Sequence, residues 1–239
     1  MKLKLRYLLL LPLLPLGISG VGAGPSRLIQ NLEAGKPQRL IVYGTSLTAG
    51  GPWVQQTRAV LDYRYPGQLE FVNSGQGGQN SIWGLGNLEQ RVLALRPDTL
   101  TIEFGMNDAA ANSGLTTQTA RQNIETMIDL VHEAVPDCEI ILMTMNPVGG
   151  EIEARPSDHP WSRASLPQIY ETYRQLAKDR GLRLIDHNRN WLEYRRLHPE
   201  KFDKHVPDGV HPDQTAACDV ITPGMIQGLG VPPVLLSED

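Results

Sequence analysis

The stretch Val206-Pro207-Asp208-Gly209-Val210-His211-Pro212 contains the parts of a general base. An aspartate precedes a histidine by three positions in a turn fixed by prolines and a glycine. The carboxylate can accept from one ring nitrogen while the other faces a site. The hydroxyl best placed to use such a base is Ser46, which follows the run Arg39-Leu40-Ile41-Val42-Tyr43-Gly44-Thr45. A serine hydroxyl is a poor nucleophile until a base takes its proton, and the intermediate it forms needs preorganised donors for the oxyanion. Two stretches offer donors. The glycine-bearing Ser74-Gly75-Gln76-Gly77-Gly78-Gln79-Asn80-Ser81 exposes backbone N–H groups, and Gly105-Met106-Asn107-Asp108 carries a side-chain amide. Each also has a plainer role, as a flexible connection and as a turn satisfied by asparagine. The glycine loop is not a phosphate-binding P-loop, because no Gly-Lys-Ser/Thr follows. His132, His159, His187, His198 and His205 lack the fixed carboxylate spacing and read as surface or structural residues.

These groups act together only if the fold brings them to one place. Leu40 to Tyr43 form an apolar run without polar alternation, as in a strand covered on both faces, and Gly44 permits a sharp turn after it. Leu69 to Asn73, Thr99 to Phe104, Glu139 to Thr144 and Leu182 to Ile185 read as four further strands. Helical spacing or stop signals mark Trp53–Tyr65, Ile82–Leu95, Thr116–Val135, Pro167–Arg180 and Asn190–Leu197, with a last helix beginning just after Pro212. Strands alternating with helices predict a five-stranded parallel sheet covered on both faces, a three-layer α/β/α sandwich. All the loops at the carboxyl ends of the strands then face one side, so Ser46, the glycine loop, Asn107 and the long loop between Asn146 and Pro167 become neighbours.

Composition sets the broader frame. The chain of 239 residues is 41% hydrophobic and 20% charged, which suits a single globular domain. Residues 1–23 read as a secretory signal peptide: a cationic start, a leucine run broken by proline, then small residues with cleavage after Gly20 or Ala23. An uncleaved membrane anchor is the alternative. The expectation is a domain over residues 24–239, secreted or periplasmic, without stable membrane association. Loss of Lys2, Lys4 and Arg6 takes the formal charge from −4 to −7, which disfavours non-specific nucleic-acid binding. Cys138 and Cys218 lie in apolar surroundings and read as buried thiols, a disulfide between them in an oxidising compartment being the alternative. Arg189, Arg195, Arg196, Lys201 and Lys204 cluster before Asp208, either as a solvated face or as a cationic rim to the cleft.

Gly44-Thr45-Ser46-Leu47, Gly78 after Asn73, Gly105-Met106-Asn107-Asp108 and Asp208-Gly209-Val210-His211-Pro212, in this order, resemble the four blocks of the SGNH or GDSL hydrolases. The resemblance spans about residues 39 to 216. It implies a flavodoxin-like parallel sheet, with Ser46 as nucleophile, His211 as base and Asp208 as its partner. It also implies an oxyanion hole made of the N–H groups of Ser46 and Gly78 and the side chain of Asn107, Gly77 being the alternative to Gly78. Thr45 departs from the pattern, since the family usually has aspartate there. The implied chemistry is acyl transfer to water through an acyl-serine, without metal or cofactor. Export and the lack of a long apolar lid point to a small acyl group, such as acetyl on a carbohydrate, with Trp83 and Trp161 as stacking surfaces or core residues. A lysophospholipase or thioesterase, and a catalytically silent binding module, are the competing readings.

Overall fold

The computed structural model describes residues 24–233. The expected signal peptide, residues 1–23, lies outside them. Five strands, β1 (Gln38–Gly44), β2 (Leu69–Asn73), β3 (Thr99–Glu103), β4 (Glu139–Thr144) and β5 (Arg183–Asp186), form one sheet in the order β2-β1-β3-β4-β5. Every neighbouring pair is parallel. The three-layer flavodoxin-like architecture is therefore present.

This order has a direct consequence for the site. The chain steps from β1 outward to β2, then back across β1 to β3, so successive right-handed crossovers leave helices on opposite faces. The helix Thr117–Ala134 packs between Ser81–Gly86 and Leu166–Arg180, and on the other side Thr222–Leu229 packs on Pro52–Arg64 and β5. At the switch between β1 and β3 the two loops diverge and leave a crevice at the strands' carboxyl ends. Ser46 follows β1, and Asn107 follows β3.

Local chemistry accounts for the main helices. Thr116 and Thr119 form a reciprocal capping box that starts Thr117–Ala134, whose buried side is Ala120, Ile124, Met127, Ile128 and Val131. Leu166–Arg180 carries a proline in its first turn and stops at Gly181 in the left-handed region, φ 63°. The central strands β1, β3 and β4 are almost wholly buried, which explains their lack of polar alternation.

Two expectations need correction. The helix read over Ile82–Leu95 is broken into Ser81–Gly86, Leu88–Arg91 and a 3₁₀ turn at Leu93–Leu95. Gly84 lets Phe104 pack where a Cβ would lie 2.6 Å from the ring, and Gly86-Asn87 then ends the first segment. The C-terminal helical stretch begins just after Pro212, as expected, and passes from a short turn at Gln214–Ala216 through a π-helical segment, Ala217–Ile221, to Thr222–Leu229. Pro223 lacks the N–H that a continuous α-helix would use there. Cys138 is buried, and burial pushes its thiol up to about 12, but Cys218 is exposed. Both are free thiols. No helix among the described residues is long and apolar enough to cross a membrane.

Candidate active site

The turn after β1 begins with Thr45, whose hydroxyl accepts from the N–H of Leu47 and caps the short helix Ser46–Ala49. Ser46 is thereby the first residue of that helix, half-buried at the crevice. Its Oγ lies 2.8 Å from His211 Nε2, and His211 Nδ1 lies 2.6 Å from Asp208 Oδ2. Hydroxyl, imidazole and carboxylate form one hydrogen-bonded line. Asp208 Oδ1 also accepts from the N–H groups of His211 at 2.7 Å and Val210 at 2.9 Å. Partial burial pushes this carboxyl upward, but the backbone N–H and ring of His211 and the N–H of Val210 outweigh it and hold the group below its ordinary range. It stays ionised at neutral pH.

The loop that carries Asp208 and His211 is fixed from both sides. Gly209 adopts φ +77°, and a Cβ there would lie 2.3 Å from the carbonyl of Gly149, so only glycine fits. Gly149 donates its N–H to the Gly209 carbonyl at 3.0 Å, and the Asn146 side chain donates to the Val210 carbonyl at 2.8 Å. At the loop's base, His205 Nδ1 lies 2.8 Å from Asp213 Oδ2, while the N–H of Asp213 donates to the His205 carbonyl at 2.9 Å. Asn146 and the His205–Asp213 clasp were not singled out from sequence. An eight-residue separation carries no local signal, whereas the three-residue spacing of Asp208 and His211 does.

The residues expected to supply oxyanion donors, Asn107 and Gly78, lie on two loops that a hydrogen bond joins. Asn107 Nδ2 donates to the carbonyl of Gln79 at 2.8 Å, which spends one of its two N–H bonds on the glycine loop and orients the other. The next residue, Asp108, accepts from the N–H of Ser81 at 2.7 Å, so two adjacent residues pin that loop to the end of β3. Burial pushes the Asp108 carboxyl up to about 7, against its hydrogen bonds from Ser81. Gly77 lies against Ser46, where an added Cβ would come within 3.9 Å of the serine Cβ, and Gly78 follows it at φ +74°. Gly77 lines the cavity beside Ser46; at Gly78 the backbone angle, not lack of space, demands glycine.

That cavity has a volume of about 420 Å³, and its walls include Leu47, Pro52, Trp53, Met145 and Ile221 together with Ser46 and His211. Trp53, read only as a helix residue from sequence, donates its indole N–H to the Leu47 carbonyl at 2.7 Å and is one of the residues lining this cavity. Trp83 does not line the cavity. It is half-buried, 6.0 Å from the Tyr43 ring, with the Arg91 guanidinium 5.5 Å above it. Trp161 is 55% exposed, on a segment docked through Ala111 and Asn112 to the chain just beyond Asn107. The cationic cluster is partly neutralised, since Arg195 pairs with Glu153 and Arg196 with Glu193. Of the other histidines, His187 is fully buried and its pKa is pushed down to about 4 by burial.

Residues 41–216 match the model of the GDSL-like Lipase/Acylhydrolase family, and the chain belongs to that family. It is a hydrolase acting on esters. An acetylxylan esterase from Geobacillus stearothermophilus superposes with a TM-score of 0.70 at 20% identity, covering 84% of this chain and 97% of that one. A lipase/acylhydrolase from Enterococcus faecalis gives 0.66 at 21% identity, over 83% of this chain and 100% of the other. At these identities the likeness concerns the fold. Among curated proteins nothing matches.

Proposed function

We propose that this protein is an exported serine ester hydrolase that works through an acyl-serine intermediate. The observation that carries the proposal is the line from Ser46 Oγ through His211 to Asp208, at 2.8 and 2.6 Å, beside the oriented amide of Asn107. In this reading His211 Nε2 takes the proton of Ser46 as Oγ attacks the ester carbonyl. The N–H groups of Ser46 and Gly78 and the Asn107 amide receive the oxyanion. Collapse breaks the bond to the alcohol oxygen, which leaves with the proton from His211. Water then repeats the sequence on the acyl-serine and releases the acid.

For the substrate, we propose a small acyl group, acetyl, on a carbohydrate. The acetylxylan esterase among the structural neighbours and the exposed Trp161, on a segment docked to the chain just beyond Asn107, support this reading. One observation favours a second reading: the cavity beside Ser46 is walled by Leu47, Trp53, Met145 and Ile221, a surface suited to a longer acyl chain, as in a lysophospholipase or thioesterase. A chain-length series of aryl esters, run alongside acetylated xylan, separates the two. Burying each methylene stabilises by about 0.8 kcal/mol, or about fourfold in kcat/KM, so an acyl groove gives a rising series. Acetyl specificity gives a fall after the acetate.

A further inference from the structure

Glu103 ends β3 in register with Gly44 of β1, and its side chain is buried beneath the turn that carries Ser46. Three donors from that turn reach its carboxyl: the N–H of Thr45 at 3.2 Å, the Thr45 hydroxyl at 2.9 Å and the Thr48 hydroxyl at 3.1 Å. The Thr45 hydroxyl accepts in turn from the N–H of Leu47 at 3.1 Å. Residues on both sides of Ser46 are thus tied to one carboxyl. Room for it depends on Gly44, where a Cβ would lie 2.7 Å from Glu103 Oε2 and 2.6 Å from the Thr48 hydroxyl. At position 45, where an aspartate is usual in the family, a hydroxyl here reaches a carboxyl on the neighbouring strand.

Packing alone would not favour this arrangement, because a buried carboxyl is costly unless its hydrogen bonds are needed. Burial pushes Glu103 up to about 8, against the hydrogen bonds from Thr45 and Thr48, so the neutral acid predominates at pH 7. A neutral carboxyl still accepts through Oε2, the oxygen that the N–H of Thr45 and both threonine hydroxyls reach.

We infer that Glu103 is a positioning residue for the nucleophile: by tying Thr45 and Thr48 to β3 it aims Ser46 Oγ at His211. This rests on Ser46 being the nucleophile, and the test keeps the two claims apart. With the purified full chain and a neutral aryl acetate, Glu103→Leu should lower kcat by about 10- to 100-fold with KM within about twofold, the signature of a misaimed nucleophile. Glu103→Gln, which mimics the neutral acid, should recover most of that loss. Thr48→Val, which removes one donor at constant shape, should lower kcat by about 3- to 10-fold and decides the matter if Glu103→Leu does not fold. Labelling by a fluorophosphonate should slow in step. Parent-like kcat in folded Glu103→Leu or, failing that, in Thr48→Val overturns the inference, as does a Glu103→Gln no faster than Glu103→Leu. Labelling of Ser46→Ala at the parent rate would instead remove the nucleophile assignment on which the inference stands.

Discussion

His211 and Asp208 are exposed, with side chains 48% and 56% accessible, whereas Glu103 beneath the turn that carries Ser46 is 1% exposed. Both carboxyls accept hydrogen bonds from backbone and side chains, yet the N–H groups of its own turn hold Asp208 low while burial pushes Glu103 up to about 8. The difference separates two uses of one chemical group. Asp208 keeps its charge, which orients the imidazole and stabilises its protonated form. Glu103 gives up its charge and serves as a rigid anchor, its Oε2 accepting from both threonines. One half of the site is built on a surface loop braced by Asn146 and the His205–Asp213 clasp, the other on the buried end of the sheet.

The largest effect that would break this comparison is expected at Asp208. Asp208→Asn retains an acceptor for the N–H groups of Val210 and His211 but removes the charge, and should lower kcat by up to about 10⁴-fold. If steady-state kinetics showed a loss under about tenfold, solvent would be doing the orienting and the contrast with Glu103 would lose its meaning.

Asn107→Ala comes next. Its amide donates to the Gln79 carbonyl, and in the proposed role it also receives the oxyanion, so kcat should fall by about 10²- to 10³-fold with little change in KM. A change confined to KM would assign Asn107 to the loop alone.

The smallest effect sharpens the buried half. Glu103 is raised from an ordinary 4.5 to about 8, mainly by burial and in part by the nearby Asp108. Between those values the folded chain binds a proton that the unfolded chain does not. Its stabilising contribution is therefore full below about pH 4.5 and is lost as pH rises through about 8. Comparing the parent with Glu103→Gln cancels the other titrating groups, and the parent's stability relative to the variant should decline across this window in denaturant melts. A flat difference would mean that Glu103 is ionised throughout.

Much of this was legible in the sequence, for reasons that differ between the halves. The strands announce themselves because β1, β3 and β4 are buried on both faces and read as apolar runs ending at glycine or polar turns. Asp208 and His211 are legible because three residues and a glycine suffice to bring carboxylate and imidazole together. Glu103 is not, since within the strand read over Thr99 to Phe104 it is an ordinary polar residue until the register places it against Gly44. Asn146 acts on a loop 64 residues away. Trp53 reads as one apolar residue of a helix, and only the fold brings it to the wall of the cavity. The break at Gly86-Asn87 was masked by the 3.6-residue spacing of Leu85, Leu88, Val92 and Leu95, which continues across it.

The central claim is that Ser46 is the residue acylated, with His211 as its base. Intact-mass analysis after exposure to a fluorophosphonate, followed by peptide mapping, tests it most directly. A single adduct on the Ser46 peptide of the parent and none on Ser46→Ala, with both proteins folded by circular dichroism, is the predicted result. An adduct formed on Ser46→Ala at the parent rate, or mapped to a different residue in the parent, would contradict it.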